Sequence, residues 1–539
     1  MTAPQERLES WKAIARYLRR GVRTVRRWEQ QEGMPVHRHA HRDRASVFAL
    51  RSEIDAWRAA RVAPAAARVR AATAPQAIAV LAFENLSPDP ANAHFAAGLT
   101  EEITSTLSQM GSLRVTSRAS VLALGTARAT APALARRLRT RYLLTGSVRR
   151  HAGRLRIAAQ LVDGRADTHV WADTFEGKLQ DVFALQERLA RQIAAALRLR
   201  LSAREDERLA ARPIASVVAY ECYLHARQQG WRWRPASIDR AVQLLGQALE
   251  SAPDSAPLHA ALGMAYLQYR EAGLDLSERP LEQAQRCAEQ LRALAPGSAA
   301  DLRLRGWLGY ARGRIQVAVR DLSEALAAEP NDADTLLLLC NCYIISGRVP
   351  AARPLLKRLA SVDPLTPVSL CMPGFAAIME GRCRRALQPY RQMYESDPAN
   401  PLARLFYAWV LLHNGRRRAA AALLQRAGAE VRHSLPGWIM GQLALALGGR
   451  LPPEPEPLSP HLQAAAVATD LYPRFLAQTY ALAGQSAPAL RWLKVAIERG
   501  FINYPYLARH DPCFRRLRRD ERFRRLLGLA RARWQAFEV

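Results

Sequence analysis

Residues 306–350 read GWLGYARGRIQVAVRDLSEALAAEPNDADTLLLLCNCYIISGRVP, and the two glycine-arginine steps in this stretch, Gly313-Arg314 and Gly347-Arg348, stand 34 positions apart. The same step recurs at Gly381-Arg382 and Gly415-Arg416. Pro330, Pro364 and Pro398 share the spacing, as do Ala318, Ala352, Ala386 and Ala420. Three series locked to one period mark an internal repeat, and a period of about 20–50 residues marks a stacked array. In each unit a small residue, Gly306, Cys340, Gly374 or Ala408, precedes the alanine by 12 positions, which predicts a first helix packed closely on a second. The Gly-Arg step turns the chain between them, and each proline begins the next unit. Leu322 and Ala325, Leu356 and Leu359, and Tyr390 and Met393 extend the apolar stripe of the second helix.

This pattern strongly resembles the tetratricopeptide repeat (TPR). An earlier unit shows Ala241, Leu245, Ala248 and Pro253, leading to Leu262-Gly263 and Tyr266; a longer one ends at Ala284, Leu291 and Pro296; a late one holds Ala477, Tyr480, Gly484, Ala489 and Ala496. The resemblance implies an all-α solenoid over residues 213–539, with a concave groove that takes a protein or peptide partner. Between Pro436 and Pro460 the period fails, because Leu451-Pro-Pro-Glu-Pro-Glu-Pro457 cannot be helical, so a loop or a break in the superhelix is expected. Residues Phe514 to Leu527 read as a basic amphipathic helix whose expected role is a polar cap on the solenoid.

Toward the N-terminus the period disappears and strand and helix patterns alternate. Ile78 to Phe83 reads as a buried strand, Asn85 to Pro90 as a loop, Phe95 to Met110 as a helix, Leu113 to Ser117 as a strand and Ala131 to Thr140 as a helix. Tyr142 to Arg149 and Arg154 to Val162 flank His151-Ala152-Gly153 and predict a hairpin; a strand near His169 to Phe175 and a helix from Val182 to Leu201 follow. Residues 78–212 are therefore expected to form a small α/β domain. The strings IAVLAFENLSPDPANAHFAAGLTEEITSTLSQ, YLLTGSVRR, LRIAAQLVD and VWADTFEG resemble the TolB N-terminal-like domain of bacterial multidomain regulators, which implies a binding or docking module. Asp89, Glu101 and Glu102 are read as acidic groups at the start of the first helix, where they favour its dipole. Gly125-Thr126-Ala127 lacks the glycine and lysine of a phosphate cradle.

Residues 62–77 read as an Ala/Pro/Arg linker, and residues 1–61 as a separate head. Trp11, Ile14, Ala15 and Leu18 form one apolar stripe; Val22, Val25 and Trp28 form a second after Arg19-Arg20-Gly21, where glycine is free to take a positive φ. Ser10 is the expected cap of the first helix. The second helix presents Arg23, Thr24, Arg26 and Arg27 outward, and a narrow arginine-rich helix fits the major groove. Val36 to Arg42 alternates and Val47 to Leu50 returns, predicting a basic hairpin wing, with Ser52 capping a closing helix that turns Ile54 and Trp57 inward. Histidines on that wing read as a phosphate-facing surface. The segments IARYLRRGVRTVRRWE, GMPVHRHAHR and SEIDAW resemble the MerR/excisionase-like winged helix-turn-helix of bacterial regulators, departing from it at Arg19. The expected DNA-binding set is Arg20, Arg23, Thr24, Arg26, Arg27, Arg38, His39 and Arg42.

The net charge of +30 over 539 residues points to an acidic partner, although only four basic residues in 78 are lysine, an imbalance that looks like codon usage. Distribution is more telling: residues 1–61 carry 14 basic against 7 acidic side chains, more than twice the charge density of the rest. The apolar share of 49% excludes wholesale disorder. No stretch reaches the apolar length of a membrane span, so a cytoplasmic protein is expected. The 7 scattered cysteines lack zinc spacing, and Cys340 and Cys342 read as core. No nucleophile, base and oxyanion site can be assembled, so no catalytic, cofactor or metal residue is assigned. The expectation is a multidomain α and α+β chain acting as a DNA-binding transcriptional regulator, whose partners are double-stranded DNA, a protein or peptide in the TPR groove and a second copy of itself. The alternative is a TPR interaction scaffold whose basic head docks non-specifically.

Overall fold

The computed structural model describes residues 7–18, 20–32, 34–38, 47–55, 76–89, 92–125, 129–210, 214, 216–230, 235–272, 274–425, 434–448 and 458–539. The chain divides into two compact units, Met1–Pro75 and Gln76–Val539.

In the first unit, strand β1 (Arg7–Leu8) leads to helices α1 (Trp11–Tyr17) and α2 (Val22–Glu32), then to strands β2 (His37–Arg38) and β3 (Val47–Leu50). Ser10 caps α1, its Oγ accepting the Ala13 N–H at 3.1 Å. The apolar stripes meet in a core where Ile14, Val25, Ala49 and Ile54 are fully buried. Gly21 does not take a positive φ; its carbonyl instead accepts the Val25 N–H at 3.2 Å and so opens α2. The described ends of the hairpin pair as His37↔Phe48 and Arg38↔Val47, while its tip from 39 to 46 lies outside the described residues. β3 is central because β1 pairs with its other edge, Arg7↔Leu50 and Leu8↔Ala49; two residues are too few to show alternation in sequence. A helical segment at 51–55 already includes Arg51, so Ser52 lies inside it and does not cap it. Arg19, Trp57 and most of the linker lie outside the described residues.

The second unit opens with a mixed sheet of β4 (Gln76–Val80), β5 (Glu84–Asn85), β6 (Leu113–Val115), β7 (Tyr142–His151), β8 (Arg154–Asp163) and β9 (Thr168–Lys178). Its order is β6-β4-β7-β8-β9, with β5 also on β7. β6, β4 and β7 run parallel; β8 and β9 are antiparallel additions. Ala152 (φ 48) and Gly153 (φ 74) form the two-residue turn between β7 and β8, both left-handed as a tight hairpin requires. Asn85, expected in a loop, pairs with Val148. Between strands lie α3 (Ala93–Ser108), α4 (Arg118–Leu122) and α5 (Ala131–Arg137), followed by α6 (Val182–Ala196) and α7 (Ala203–Ala210). The helix expected to reach Leu201 stops at Ala196, and Arg198 turns left-handed at φ 54.

Helix pairs follow: α8 (Val217–Gly230) with α9 (Pro235–Ser251), α10 (Ala256–Glu271) with α11 (Arg279–Leu294), α12 (Ala299–Ala311) with α13 (Ile315–Ala328), and α14 (Ala333–Ile345) with α15 (Val349–Val362). Next come α16 (Pro367–Met379) with α17 (Leu387–Ser396), α18 (Pro401–His413) with α19 (Arg417–Gln425), then α20 (Leu435–Gly448), α21 (Pro460–Ala468), α22 (Leu471–Leu482), α23 (Ser486–Glu498) and α24 (Glu521–Gln535). The glycines of the Gly-Arg steps, 313, 347, 381 and 415, adopt φ of 74°, 76°, 76° and 73°, so one left-handed turn recurs at the repeat period. The small packing slots are real: a Cβ on Gly306 would meet Leu322 at 2.6 Å, and Cys340 and Ala408 are fully buried.

Two further expectations need correction. The stretch after Pro436 is helical to Gly448, because Pro436 sits in the first turn, where a missing N–H costs nothing; residues 449–457 lie outside the described residues. The terminal helix starts only at Glu521, capped by Asp520, whose carboxylate accepts the Arg522 N–H at 2.8 Å; Phe514 to Arg519 form turns before it.

The sheet and the repeats share a core. A Cβ on Gly98 of α3 would meet Leu224 of α8 at 2.6 Å, and one apolar cluster runs from Ile78 through Leu224 to Leu308. Among the described residues, no helix is long and apolar enough to cross a membrane.

Candidate interaction surfaces

On the N-terminal unit, α2 carries the expected basic face, but its residues are not equivalent. Arg23 and Arg27, one turn apart, are exposed, and among the described residues no carboxylate pairs with either. Thr24 is half-buried between them. Arg26 is exposed but lies over the Trp11 ring, 5.4 Å from its centroid. Arg38 donates to Glu29 at 2.7 Å, which neutralises it. His37 contacts Glu53 at 2.6 Å and stacks on Phe48, which ties it into the unit. Arg20 is exposed at the turn before α2; His39 and Arg42 lie outside the described residues.

In the repeats, the periodicity builds a ladder. Trp307, Asn341, Phe375 and Trp409 occupy equivalent positions, 34 apart, on α12, α14, α16 and α18. The inner face they mark is covered by the chain itself, because α22 packs across it. Tyr310 donates to Asp470 at 2.6 Å, and the Trp409 indole N–H donates to Gln478 at 3.0 Å. Arg474, only 2% exposed, places its guanidinium over the rings of Phe375, Trp409, Phe475 and Phe501. Gln478 also donates to Asp511 and Tyr506, and Tyr506 contacts His413 at 2.7 Å. Burial holds the His413 imidazole below its usual range. The expected groove over these repeats is thus filled from within.

The C-terminal segment covers another side. A Cβ on Gly313, Gly347 or Gly381 would meet Arg499, Asn503 and Trp534, or His510. Arg348 stacks on Trp534 and donates to the carbonyls of Trp534 and Phe537. Residues 499–537 therefore line the helix-helix turns of three successive repeats, a different place from the polar cap expected at the solenoid's end.

Where the sheet meets the repeats, charge is buried. Glu101, 4% exposed, lies in the middle of α3, so the reading of Glu101 and Glu102 as helix-start residues fails; Asn92 stands at that start. Glu101 accepts from Arg227 Nε at 2.6 Å and lies 3.6 Å from Arg118. Burial raises the Glu102 carboxyl, opposed by the charge of Arg227. Further along, Glu271 and Asp334 reach solvent yet are crowded by surrounding protein, which pushes each carboxyl up to about 7. Sequence reasoning missed this cluster, because its partners lie on α3, α8, α10 and α14, far apart in the chain.

An open groove lies elsewhere, between α17 and α19 with α18 as floor. Its cavity of ≈ 390 Å³ is lined by Arg391, Tyr394, Tyr407, Leu411, Arg416 and Leu423 among others. Tyr394 and Tyr407 stack at 5.8 Å, and the Arg404 guanidinium lies 5.9 Å from the Tyr394 ring. No group of three or more metal-ligating side chains is placed to hold an ion among the described residues. All seven cysteines are free, and Cys340 and Cys342 are fully buried, as read.

Residues 264–433 match the tetratricopeptide repeat family model. The C-terminal half carries TPR repeats. A curated relative, a putative adenylate cyclase 3 of Rhizobium meliloti, is 39% identical over 190 residues, covering 35% of this chain. The chain spans about a third of that relative's length, 32%. Similar solved structures include a thermophilic TPR protein of Thermus thermophilus, TTC0263, at 20% identity, covering 36% of this chain and 99% of its own, with a TM-score of 0.30. Another is pilF of Pseudomonas aeruginosa, at 18% identity, covering 41% and 96%, with a TM-score of 0.31.

Proposed function

We propose that this chain is a TPR interaction scaffold whose basic N-terminal head docks on double-stranded DNA. The observation that carries the reading is the stack of helix pairs closed by one recurring left-handed glycine turn, which makes a rigid, extended surface with an open aromatic groove. What supports the head's role is its charge density together with the exposed Arg23 and Arg27. The reading assigns no catalysis.

A second reading, a transcriptional regulator that selects an operator, draws on a specific observation. Arg23, Thr24 and Arg27 lie along one side of α2, the arrangement a recognition helix needs to reach base edges. The resemblance of residues 8–60 to the MerR/excisionase-like winged helix and of residues 78–201 to the TolB N-terminal-like domain agrees with it.

The test is photo-crosslinking of the full-length protein in cells, with a photoreactive amino acid at Arg27 or at Tyr407. The scaffold reading expects one recurring protein adduct at Tyr407 and DNA adducts scattered across the genome at Arg27. Clustering of the Arg27 adducts on a shared motif moves the conclusion to the regulator. Adducts at neither position overturn both.

A further inference from the structure

The groove between α17 and α19 has a chemistry more specific than its shape. Tyr407 and Leu411, one turn apart on α18, form the floor with Leu423 of α19, and Leu411 and Leu423 are already buried. Tyr394 of α17 closes one wall by stacking on Tyr407. Ala419 and Ala422 on α19 are exposed and small, so among the described residues nothing fills the space above the floor. The groove is thus sized for a side chain, with π faces to receive it.

Its rim is unbalanced in charge. Arg391 is held by Glu395 at 2.7 Å, which cancels that pair. Arg416, Arg417 and Arg418 follow in one run, all exposed, and among the described residues no carboxylate pairs with any of them. Arg353, by contrast, is exposed and pairs with Glu380. Of the three only Arg416 lines the groove, and its uncompensated guanidinium beside an apolar slot complements an acidic ligand with an apolar anchor, since guanidinium binds carboxylate bidentately.

We propose that this groove docks an acidic peptide segment of a partner protein, with an apolar side chain on the floor of Tyr407 and Leu411 and a carboxylate on Arg416. The inference rests on the scaffold reading and gives it a site and a partner class. It places the partner outside the inner face of the repeats, which α22 already occupies.

The test uses the full-length protein and a fluorescent decapeptide of glutamates around one central phenylalanine, followed by anisotropy at near-physiological salt so that bulk charge is screened. Arg416→Glu with Arg417→Glu, and separately Ala422→Trp, which fills the slot, are each expected to weaken binding about tenfold or more. Arg524→Glu with Arg525→Glu removes the same charge from α24 and is expected to change it about twofold or less. Matched melting curves confirm that the variants fold. Amide exchange is expected to slow over 387–425 on binding. Equal losses from the two arginine pairs, indifference to Ala422→Trp, or protection confined to other helices overturn the proposal. If it falls while crosslinks at the repeats still capture one protein, the scaffold reading survives and only the groove is wrong.

Discussion

Ser120 Oγ donates to Asp363 Oδ1 at 2.6 Å, joining two residues 243 positions apart. Asp363 stands at the end of α15 and also accepts from Ser117, Thr366 and Ser369. Ser117 N–H donates to the Val362 carbonyl at 2.7 Å, and Asn331 donates to the Leu113 carbonyl at 2.9 Å. One carboxylate thereby fastens the sheet layer to the middle of the repeat stack.

Asp363→Ala leaves four hydroxyls without their acceptor. Asp363 is 5% exposed, so water is a poor substitute, and the expected loss is about 3 kcal/mol of stability. Chemical denaturation measures it. A loss near zero would mean that the hydroxyls find other partners and that the latch is incidental.

Glu101 and Arg227 make a second fastening. Arg227→Met leaves the buried carboxylate with the more distant Arg118 alone and is expected to cost about 2–3 kcal/mol, somewhat under a fully buried pair because Arg227 is about a third exposed and Arg118 remains. Adding Glu101→Gln is expected to recover much of that loss. A double-mutant cycle on thermal unfolding checks the recovery, and strictly additive effects would show that the two groups do not interact.

The period of the repeats was legible because it is written into local chemistry: a left-handed glycine, a small packing slot and a proline return at fixed spacing, and each acts within one helix pair. Most of the sheet was legible, since Arg154–Asp163 alternates and an obvious turn joins it to Tyr142–His151, while the two-residue β5 was too short to show. What escaped was long-range closure. Nothing in the string around Arg474 announces that its guanidinium enters a cage of four rings, because the rings come from α16, α18, α22 and the segment after α23. Glu101 was misplaced for the opposite reason: an acid near a helix start has a common local explanation, and its real partner lies 126 positions away. On the head, the outward arginines were legible, but the stacking of Arg26 on Trp11 and the pairing of Arg38 with Glu29 depend on packing between elements.

Two glycines in equivalent turns separate backbone strain from crowding. Gly415, at φ 73, has open space where a Cβ would stand, so Gly415→Ala is expected to cost about 1 kcal/mol from its left-handed backbone alone. Gly347, at φ 76, would bring a Cβ to 3.0 Å from both Asn503 and Trp534. Gly347→Ala is expected to cost at least about 1 kcal/mol more, and to speed proteolysis of the C-terminal segment. Equal melting temperatures for the two variants would show that residues 499–537 yield freely.

Arg27 supplies the test of the head. Replacing it with alanine removes one phosphate contact and is expected to lower the salt dependence of DNA binding by about 0.9 in the log-log slope if the head only docks. If α2 reads bases, the loss is instead about 1–3 kcal/mol on the preferred sequence, with little on others. Anisotropy titrations over a salt series, on a selected and a scrambled duplex, distinguish the two. An unchanged slope and affinity on both would remove α2 from the DNA interface.

The carboxyls of Glu271 and Asp334, each pushed up to about 7, make the folded chain pH-sensitive in a definite direction. Between the ordinary carboxylate range and 7 the folded state holds protons that the unfolded state has released. Stability therefore falls as pH rises through that window, and the full penalty is present above it. Crowding by the protein is the main cause in both, and for Glu271 the charge of Asp334 adds to it. Water still reaches both groups, which screens the effect, so the penalty is smaller than a buried acid would carry. Glu271→Gln is expected to raise the melting temperature by about 1–3 °C at pH 8 and to leave it almost unchanged at pH 5, where the wild-type carboxyl is already largely protonated. Paired thermal melts at the two pH values decide the matter. A gain of the same size at both would assign it to packing, and a loss at pH 8 would mean that the ionised Glu271 is held by a favourable partner.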